Sequence, residues 1–509
     1  MTINSDVEIA ANDVIDKFTL RLGGIRPSYQ IKSRPDGEFL VFEFAHENTR
    51  FYKILEDIER TLDEDHLFYG RCVISNRLSK PKDVLVIPET KLLQKAISES
   101  LTIDKHSFGD AFFDRYTASV TNFEQEIISS ANHIVYGRRG AGKSSLLAYA
   151  MHKLDAKKFP YSWVAMQTYS SRKDEDVICD ILIDILSNIE NISQGDSDFS
   201  EMIELLEKIG VSESANIAAK VNKLVPKIRR QIQSFAKSEK PYTIFLDDFH
   251  VVSEELQPQI LNTIYSISRG NNTFIKLSGI EQFTRTWDPS IQSGLQPTHD
   301  AQVLKLDLNL TMPDRSKTHI VSILNAHAQY CGLPNILYLA SDAVLSRLVL
   351  VAAGVPRDAL SLFTQAINKA NIKDQKTVTL ISVNEASSDM AERKLQDISK
   401  DTADALDQVN QMLEKIKAFC IIEKRKNSFL IKINNSDEDF KLVQKLIALR
   451  LVHVLNEGTT PRVAGERYIA LMLDYGFYVG IRAARSVELY PTEPQTLLAK
   501  ELRKLPIFK

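Results

Sequence analysis

Cysteine is scarce in this chain of 509 residues, and long apolar runs are missing. The four cysteines, Cys72, Cys179, Cys331 and Cys420, stand far apart and form no CxxC pair. That spacing gives neither a disulfide framework nor a zinc-ligand pattern, and it fits a reducing cytosol. No window approaches the ~20 uninterrupted apolar residues that cross a bilayer, so no membrane contact is expected. The stretch MTINSDVEIAANDVIDKF is acidic and lacks a basic segment followed by an apolar one, so no signal peptide is expected either. Strong charge of one sign is also absent. A formal net charge of −3 excludes a wholly basic nucleic-acid binder. These absences point to a cytoplasmic protein.

What is present is the composition of an ordinary globular protein, 44% hydrophobic and 25% charged, with length for roughly three or four domains. Charge is spread unevenly. Residues 411–509 hold 17 Lys+Arg against 11 Asp+Glu, a net +6, whereas residues 1–105 hold 15 against 18, a net −3. Any nucleic-acid contact is therefore expected toward the C-terminal end.

The patterning divides the chain into four segments. Residues 1–105 read as a small α+β domain, with a hairpin around Pro35-Asp36-Gly37, a helix in FYKILEDIERTL, and further strands in RCVISNRL and DVLVIP. Residues 106–310 alternate strands with helices, the pattern of a parallel sheet covered on both faces. Its strands are HIVYG (133–137), SWVAMQ (162–167), YTIFLDD (242–248), TFIKLSG (273–279) and QVLKLDL (302–308), unbroken apolar runs suited to burial on both sides. Residues 311–378 are helical, with Asp314 expected as a cap and Gly354 as the residue that closes a helix. QKTVTLISVNEA reads as a linker to a last domain, 385–509, of long helices, a short strand pair around NSFLIKI and a further helix.

The chemistry sits in GRRGAGKSS. Gly137 to Ser144 match GxxxxGK[ST] without a mismatch, between an apolar strand and a helical run. Gly137, Gly140, Ala141 and Gly142 let the backbone curl so that its N–H groups face the α- and β-phosphates, and Ser145 continues the loop into the helix. Lys143 reaches the β- and γ-phosphates, and Ser144 ligates Mg²⁺. About a hundred residues on, TIFLDDFH is an apolar strand ending in two acids. Asp247 is placed to hold the metal and Asp248 to polarise the attacking water. ATP and Mg²⁺ are thus the expected cofactors.

These motifs in this order, followed by FIKLSGI and a helical lid carrying Gly354-Val355-Pro356-Arg357, resemble AAA+ ATPases, and within them the initiator-type and signal-transduction (STAND) ATPases. The resemblance implies an α/β fold: a P-loop AAA+ core with a five-stranded parallel sheet, a helical lid, a small α+β N-terminal domain and a winged-helix-like C-terminal domain. It also assigns roles. Ser278, with Lys276 as second choice, matches sensor 1. Arg357 matches the lid arginine that contacts the γ-phosphate, and Arg285 in EQFTRTWDPS matches an arginine finger reaching a neighbouring subunit. Arg138 and Arg139 receive no role. The paired aspartates depart from the Asp-Glu of many AAA+ motors and imply slow, switch-like turnover, and no aromatic pore loop of a threading machine is present.

In the C-terminal segment Lys424, Arg425 and Lys426, with Arg462, Arg467, Arg482 and Arg485, form a basic set that a winged helix could lay on double-stranded DNA. The basic helix with Lys220, Lys223, Lys227, Arg229 and Arg230 reads as a solvated face, because Ile217, Val221, Leu224, Ile228 and Ile232 recur at helical spacing beneath it. Three functions stay open: a slow ATPase switch that assembles with its own copies or an effector protein, a DNA-binding initiator or loader, and an ATP-binding scaffold with little hydrolysis. Proteins with this layout occur in bacterial anti-phage defence, a setting implied by the resemblance and by no residue.

Overall fold

The computed structural model describes residues 5–101, 107–170, 172, 174–193, 199–211, 217–236, 240–306, 310–401, 406–434, 436–460, 466–479 and 486–509. The chain divides into two compact units, one of residues Met1–Thr117 with Leu308–Lys509, the other Ala118–Asp307.

The first unit opens with α1 (Ser5–Arg21), the antiparallel hairpin of β1 (Ser28–Arg34) and β2 (Gly37–Phe44), and α2 (Thr49–Glu59). Asn48 caps α2 by accepting the Phe51 N–H. β3 (Cys72–Asn76) then joins β2 in parallel. The run DVLVIP does not form the expected strand. Val84 and Leu85 are buried, but the Asp83 carboxylate accepts the Leu85 N–H in a local turn and the chain passes into α3 (Pro88–Leu101). Proline at the first helical position favours that start. The short helix α4 (Asp110–Phe113) follows.

The second unit contains α5 (Phe123–Ile127) and the five expected strands: β4 (His133–Tyr136), β5 (Tyr161–Ala165), β6 (Tyr242–Asp247), β7 (Thr273–Gly279) and, after the two-residue ladder β8 (Trp287–Asp288) and β9 (Ser293–Gly294), β10 (Gln302–Lys305). The helices between them are α6 (Lys143–Lys157), α7 (Val177–Ser193), α8 (Ser200–Gly210), α9 (Ile217–Phe235) and α10 (Gln257–Ser268). The five long strands form one parallel sheet in the order β10-β4-β7-β6-β5. Because all five run the same way, their C-terminal ends gather along one edge, where ligands of open α/β sheets bind. The apolar residues of α9 behave as read, with Val221, Ile228 and Ile232 buried and Lys223, Arg229 and Arg230 exposed.

The remaining elements return to the first unit: α11 (Pro313–Tyr330), α12 (Asp342–Val351), α13 (Pro356–Ile372), α14 (Leu380–Asp401), α15 (Leu406–Lys417), β11 (Ser428–Lys432), α16 (Glu438–Ala448), β12 (Val452–Thr459), β13 (Tyr468–Leu473) and α17 (Ala499–Leu502). Asp314 is not the cap of α11. That position is Met312, Pro313 starts the helix, and the Asp314 carboxylate instead accepts the Thr496 hydroxyl at 3.1 Å. Gly354 does close α12, its N–H donating to the Val349 carbonyl at 3.0 Å. The expected linker is largely helical, since α14 starts at Leu380. The C-terminal sheet is antiparallel in the order β11-β13-β12, and a single helix, α16, lies between β11 and β12. NSFLIKI is thus one strand whose partner is β13, not a local strand pair. One hydrophobic cluster runs from the first segment through α11–α13 to this sheet, so the N-terminal, lid and C-terminal segments share a core.

Candidate functional site

The strand order assembles the site. β7 lies between β4 and β6, so the end of β7 separates the glycine-rich loop from Asp247. The loop is tied to β7 by the Gly137 N–H, which donates to the Gly279 carbonyl. Gly140 and Gly142 have φ of 77° and 95°, the left-handed region that a side chain resists. With these two turns the chain bends back into α6, and Lys143 and Ser144 occupy its first positions. The Ala141 N–H closes a turn on the Arg138 carbonyl at 3.1 Å. Lys143 is buried, and its ammonium donates to the Arg138 carbonyl at 3.4 Å. Ser145, one residue on, continues the helix.

Three side chains converge beside the loop. The hydroxyls of Ser144 and Ser278 both donate to Asp247 Oδ1, at 3.0 and 2.7 Å. Ser278 also accepts the Asp248 N–H at 2.9 Å, which fixes the direction of its own proton. Burial, and then the neighbouring Asp248, push the Asp247 carboxyl up to about 6, against the opposing pull of the two serines and Lys143. Asp248 has a φ of 57°, an uncommon conformation for a residue with a side chain and the kind of strain that collects at functional sites. It directs the two neighbouring carboxylates differently. Asp248 Oδ2 accepts Gln167 Nε2 at 2.8 Å, and His250 Nδ1 lies 4.0 Å from Asp248 Oδ1.

The structure therefore brings Gly137, Gly140, Ala141, Gly142, Lys143, Ser144, Ser145, Asp247, Asp248 and Ser278 to one edge of one unit. Lys276 is not there. It pairs in register with His133, the first residue of β4, and its ammonium donates to the Ser129 and Ala131 carbonyls at 3.0 and 3.3 Å. Side chains alternate along a strand, and Lys276 sits two positions back from Ser278, too far from the sheet's C-terminal edge. Arg285 is partly exposed and bonds Asp288 at 2.8 Å, with its N–H on Gln257 Oε1. Arg357 belongs to the other compact unit, exposed at the second position of α13. In the C-terminal sheet unit Lys424, Arg425 and Arg467 are exposed and Lys426 pairs with Glu488 at 3.1 Å; Arg462, Arg482 and Arg485 lie outside the described residues.

Gln167 and His250 were missed in the sequence. Gln167 follows the end of β5, and only the pairing of β5 with β6 reveals that this end adjoins Asp248. His250 follows the acids directly in DDFH, so its proximity was legible, but its burial was not.

No family model matches the sequence, and no curated protein matches it. Solved structures do. The chain is similar to Drosophila ORC bound to DNA, at 13% identity over 86% of this chain and 98% of that one, with a TM-score of 0.35. It is similar to the Aeropyrum pernix ORC1 protein in complex with DNA, at 14% identity over 75% and 93%, with a TM-score of 0.37. A Signal Transduction ATPase with Numerous Domains (STAND) protein with a tetratricopeptide repeat sensor from Pyrococcus horikoshii matches at 14% identity over 73% and 43%, with a TM-score of 0.29. The chemistry of the site comes from the chain's own strand order and side chains.

The donors suit a small hard cation bound with phosphate. A hydroxyl and a buried carboxylate, Ser144 and Asp247, offer oxygen ligands, the set that Mg²⁺ prefers. The raised Asp247 carboxyl is itself a sign of a buried negative charge that a cation would relieve. Among the described residues no group of three or more His, Cys, Asp or Glu gathers into an all-protein metal cage.

Proposed function

We propose that the protein is an ATP-binding and hydrolysing AAA+/STAND-like switch with slow turnover, which couples its nucleotide state to assembly with its own copies, an effector protein or DNA. The observation that supports it best is the convergence of Ser144 and Ser278 on Asp247 beside the loop that ends in Lys143.

In this reading the loop N–H groups and Lys143 hold the phosphates, and Ser144 with Asp247 would hold Mg²⁺. The metal, when bound, supplies charge neutralisation on the β- and γ-phosphate oxygens. Asp248 accepts a hydrogen bond from a water and aims it at the γ-phosphorus. The water adds, the bond to the ADP oxygen breaks, and inorganic phosphate leaves. Ser278 senses the change through its bonds to both acids. Arg357 and Arg285 keep the sensor and finger roles that the resemblance implies. An aspartate is one methylene shorter than glutamate, which accords with slow turnover.

The test is ATP turnover by the full chain and by Lys143→Ala. A loss of at least about 100-fold is expected in the variant. Equal phosphate release by both would eliminate enzymatic function and leave the scaffold reading. The initiator reading draws on the exposed Lys424 and Arg425. It predicts duplex affinity that falls with salt at a slope of about −0.9 per phosphate contacted. A cytoplasmic, anti-phage role belongs to the same proposal. Phage plating on cells making wild type or Lys143→Ala tests it, and equal plating removes it.

A further inference from the structure

His250 is the least satisfied polar group at the site. Its side chain is only 6% exposed, and neither ring nitrogen has a hydrogen-bond partner. A buried polar group left without a partner costs about 1–3 kcal/mol, so an arrangement that satisfies this ring is favoured wherever the chain can reach it. Asp248 Oδ1 lies 4.0 Å from Nδ1, beyond the hydrogen-bond reach of about 2.7–3.2 Å. His250 sits in the single 3-10 turn Phe249–Val251, which begins at the strained Asp248. A shift of about 1 Å in that turn completes the bond.

The other oxygen of the same carboxylate is already held, by Gln167 at 2.8 Å. One donor leaves a carboxylate free to rotate about its bond to Cβ. Two donors, one on each oxygen, fix its plane and leave a second lone pair on each oxygen for a water. We infer that His250 is a positioning residue for Asp248, donating Nδ1–H to Oδ1 in the nucleotide-bound state so that Asp248 can aim the attacking water. This deepens the ATPase reading and rests on it. Burial first, then Lys143 and Arg139, press the imidazole down to about 4 against the opposing pull of Asp248, so the ring is neutral and carries one N–H for this purpose. It also gives Arg139, unassigned in the sequence, a place near the ring's charge balance.

The test compares full-length wild type, His250→Leu, His250→Asn and His250→Gln for kcat, KM and the affinity for a fluorescent ATP analogue. Asparagine carries its amide near the position of Nδ1, and glutamine carries it near Nε2. The Leu variant is expected to lose about 10–100-fold in kcat with analogue affinity within about 2-fold of wild type, and Asn to recover most of the loss while Gln does not. Wild-type turnover in the Leu variant overturns the role, as does equal loss in Asn and Gln. If Leu fails to fold, the Asn and Gln pair decides by the same criterion. Absence of turnover in wild type sinks the ATPase reading and this inference together, whereas normal turnover with an indifferent Leu variant sinks this inference alone.

Discussion

Each compact unit holds a pair of aspartates, and the two pairs are treated in opposite ways. In the second unit, Asp247 and Asp248 are adjacent, the partners of Asp247 are two hydroxyls, and its carboxyl is pushed up to about 6. In the first unit, Asp358 of α13 and Asp474 after β13 meet Lys394 of α14, Arg450 and His453. Lys394 lies 2.6 Å from Asp474 and 3.8 Å from Asp358, Arg450 bonds Asp358, and His453 Nε2 lies 2.9 Å from Asp474. Burial alone would raise the Asp474 carboxyl, yet Lys394 and His453 hold it well below the usual carboxylate range. A buried carboxylate surrounded by cations is already satisfied and fastens structure. One surrounded by hydroxyls retains an uncompensated charge, and such a site is suited to receive a cation from outside. This cation-paired set also ties α13 to the C-terminal sheet, through Asp358 on α13 and Arg450 next to β12.

The strongest way to break the comparison is to take the charge out of the satisfied pair. Asp474→Asn keeps an oxygen for the Gly476 N–H but takes the carboxylate away from His453 and leaves Lys394 with only Asp358, 3.8 Å away, as counterion. A loss of about 3–5 kcal/mol is expected in urea unfolding. Lys394→Met in the same chain should recover part of it, and a single variant as stable as wild type would show the pair to be idle. Next is Asp248→Asn, which should leave stability near wild type and lower ATP turnover about 100-fold with nucleotide binding retained. If turnover and binding fall together, Asp248 is a binding group and not a water-aiming one.

The contrast shows what could be read from the sequence. GRRGAGKSS and TIFLDDFH carry the patterns expected of a phosphate loop and of a metal-binding strand end, and such motifs are legible because they are local and set particular residues at fixed spacing. The five strands were legible for the same reason, as apolar runs. Long-range pairing is what sequence cannot carry. Nothing local reveals that β7 separates β4 from β6, so Ser278 and Lys276 competed for one role until register placed Lys276 beside His133. Gln167 was hidden by the same gap, and so was the whole Asp358–Lys394–Asp474 network, whose members are spread over more than a hundred residues. The failed strand DVLVIP and the failed Asp314 cap have a different cause. In both places a proline at the first helical position and its turn outweighed the propensity of the residues around it.

Two smaller predictions sharpen the difference. Asp247→Asn removes a buried charge that burial and Asp248 oppose, so the nucleotide-free protein should gain about 1–2 kcal/mol in thermal unfolding while losing its response to Mg²⁺ with ATP. Loss of stability instead would mean that the two serine hydroxyls satisfy the carboxylate fully. The last case is a buried pair of bases. Lys276 Nζ lies 3.1 Å from His133 Nδ1, and burial presses the ammonium down from 10.5 to about 7. Burial and then Lys276 hold His133 near 4. Because the folded value of Lys276 is depressed, the folded state binds fewer protons than the unfolded one between pH 7 and 10.5, and stability rises with pH across that window. Below 7 the full cost of the buried charge remains. Lys276→Met removes that cost but also strips a donor from the Ser129 and Ala131 carbonyls, so the net gain is about 1 kcal/mol at pH 6.5. By pH 10 the charge cost is gone while the lost donor remains, so the variant should then be less stable than wild type. Melting curves at both ends check this, and a gain independent of pH would place the benefit in packing instead of charge.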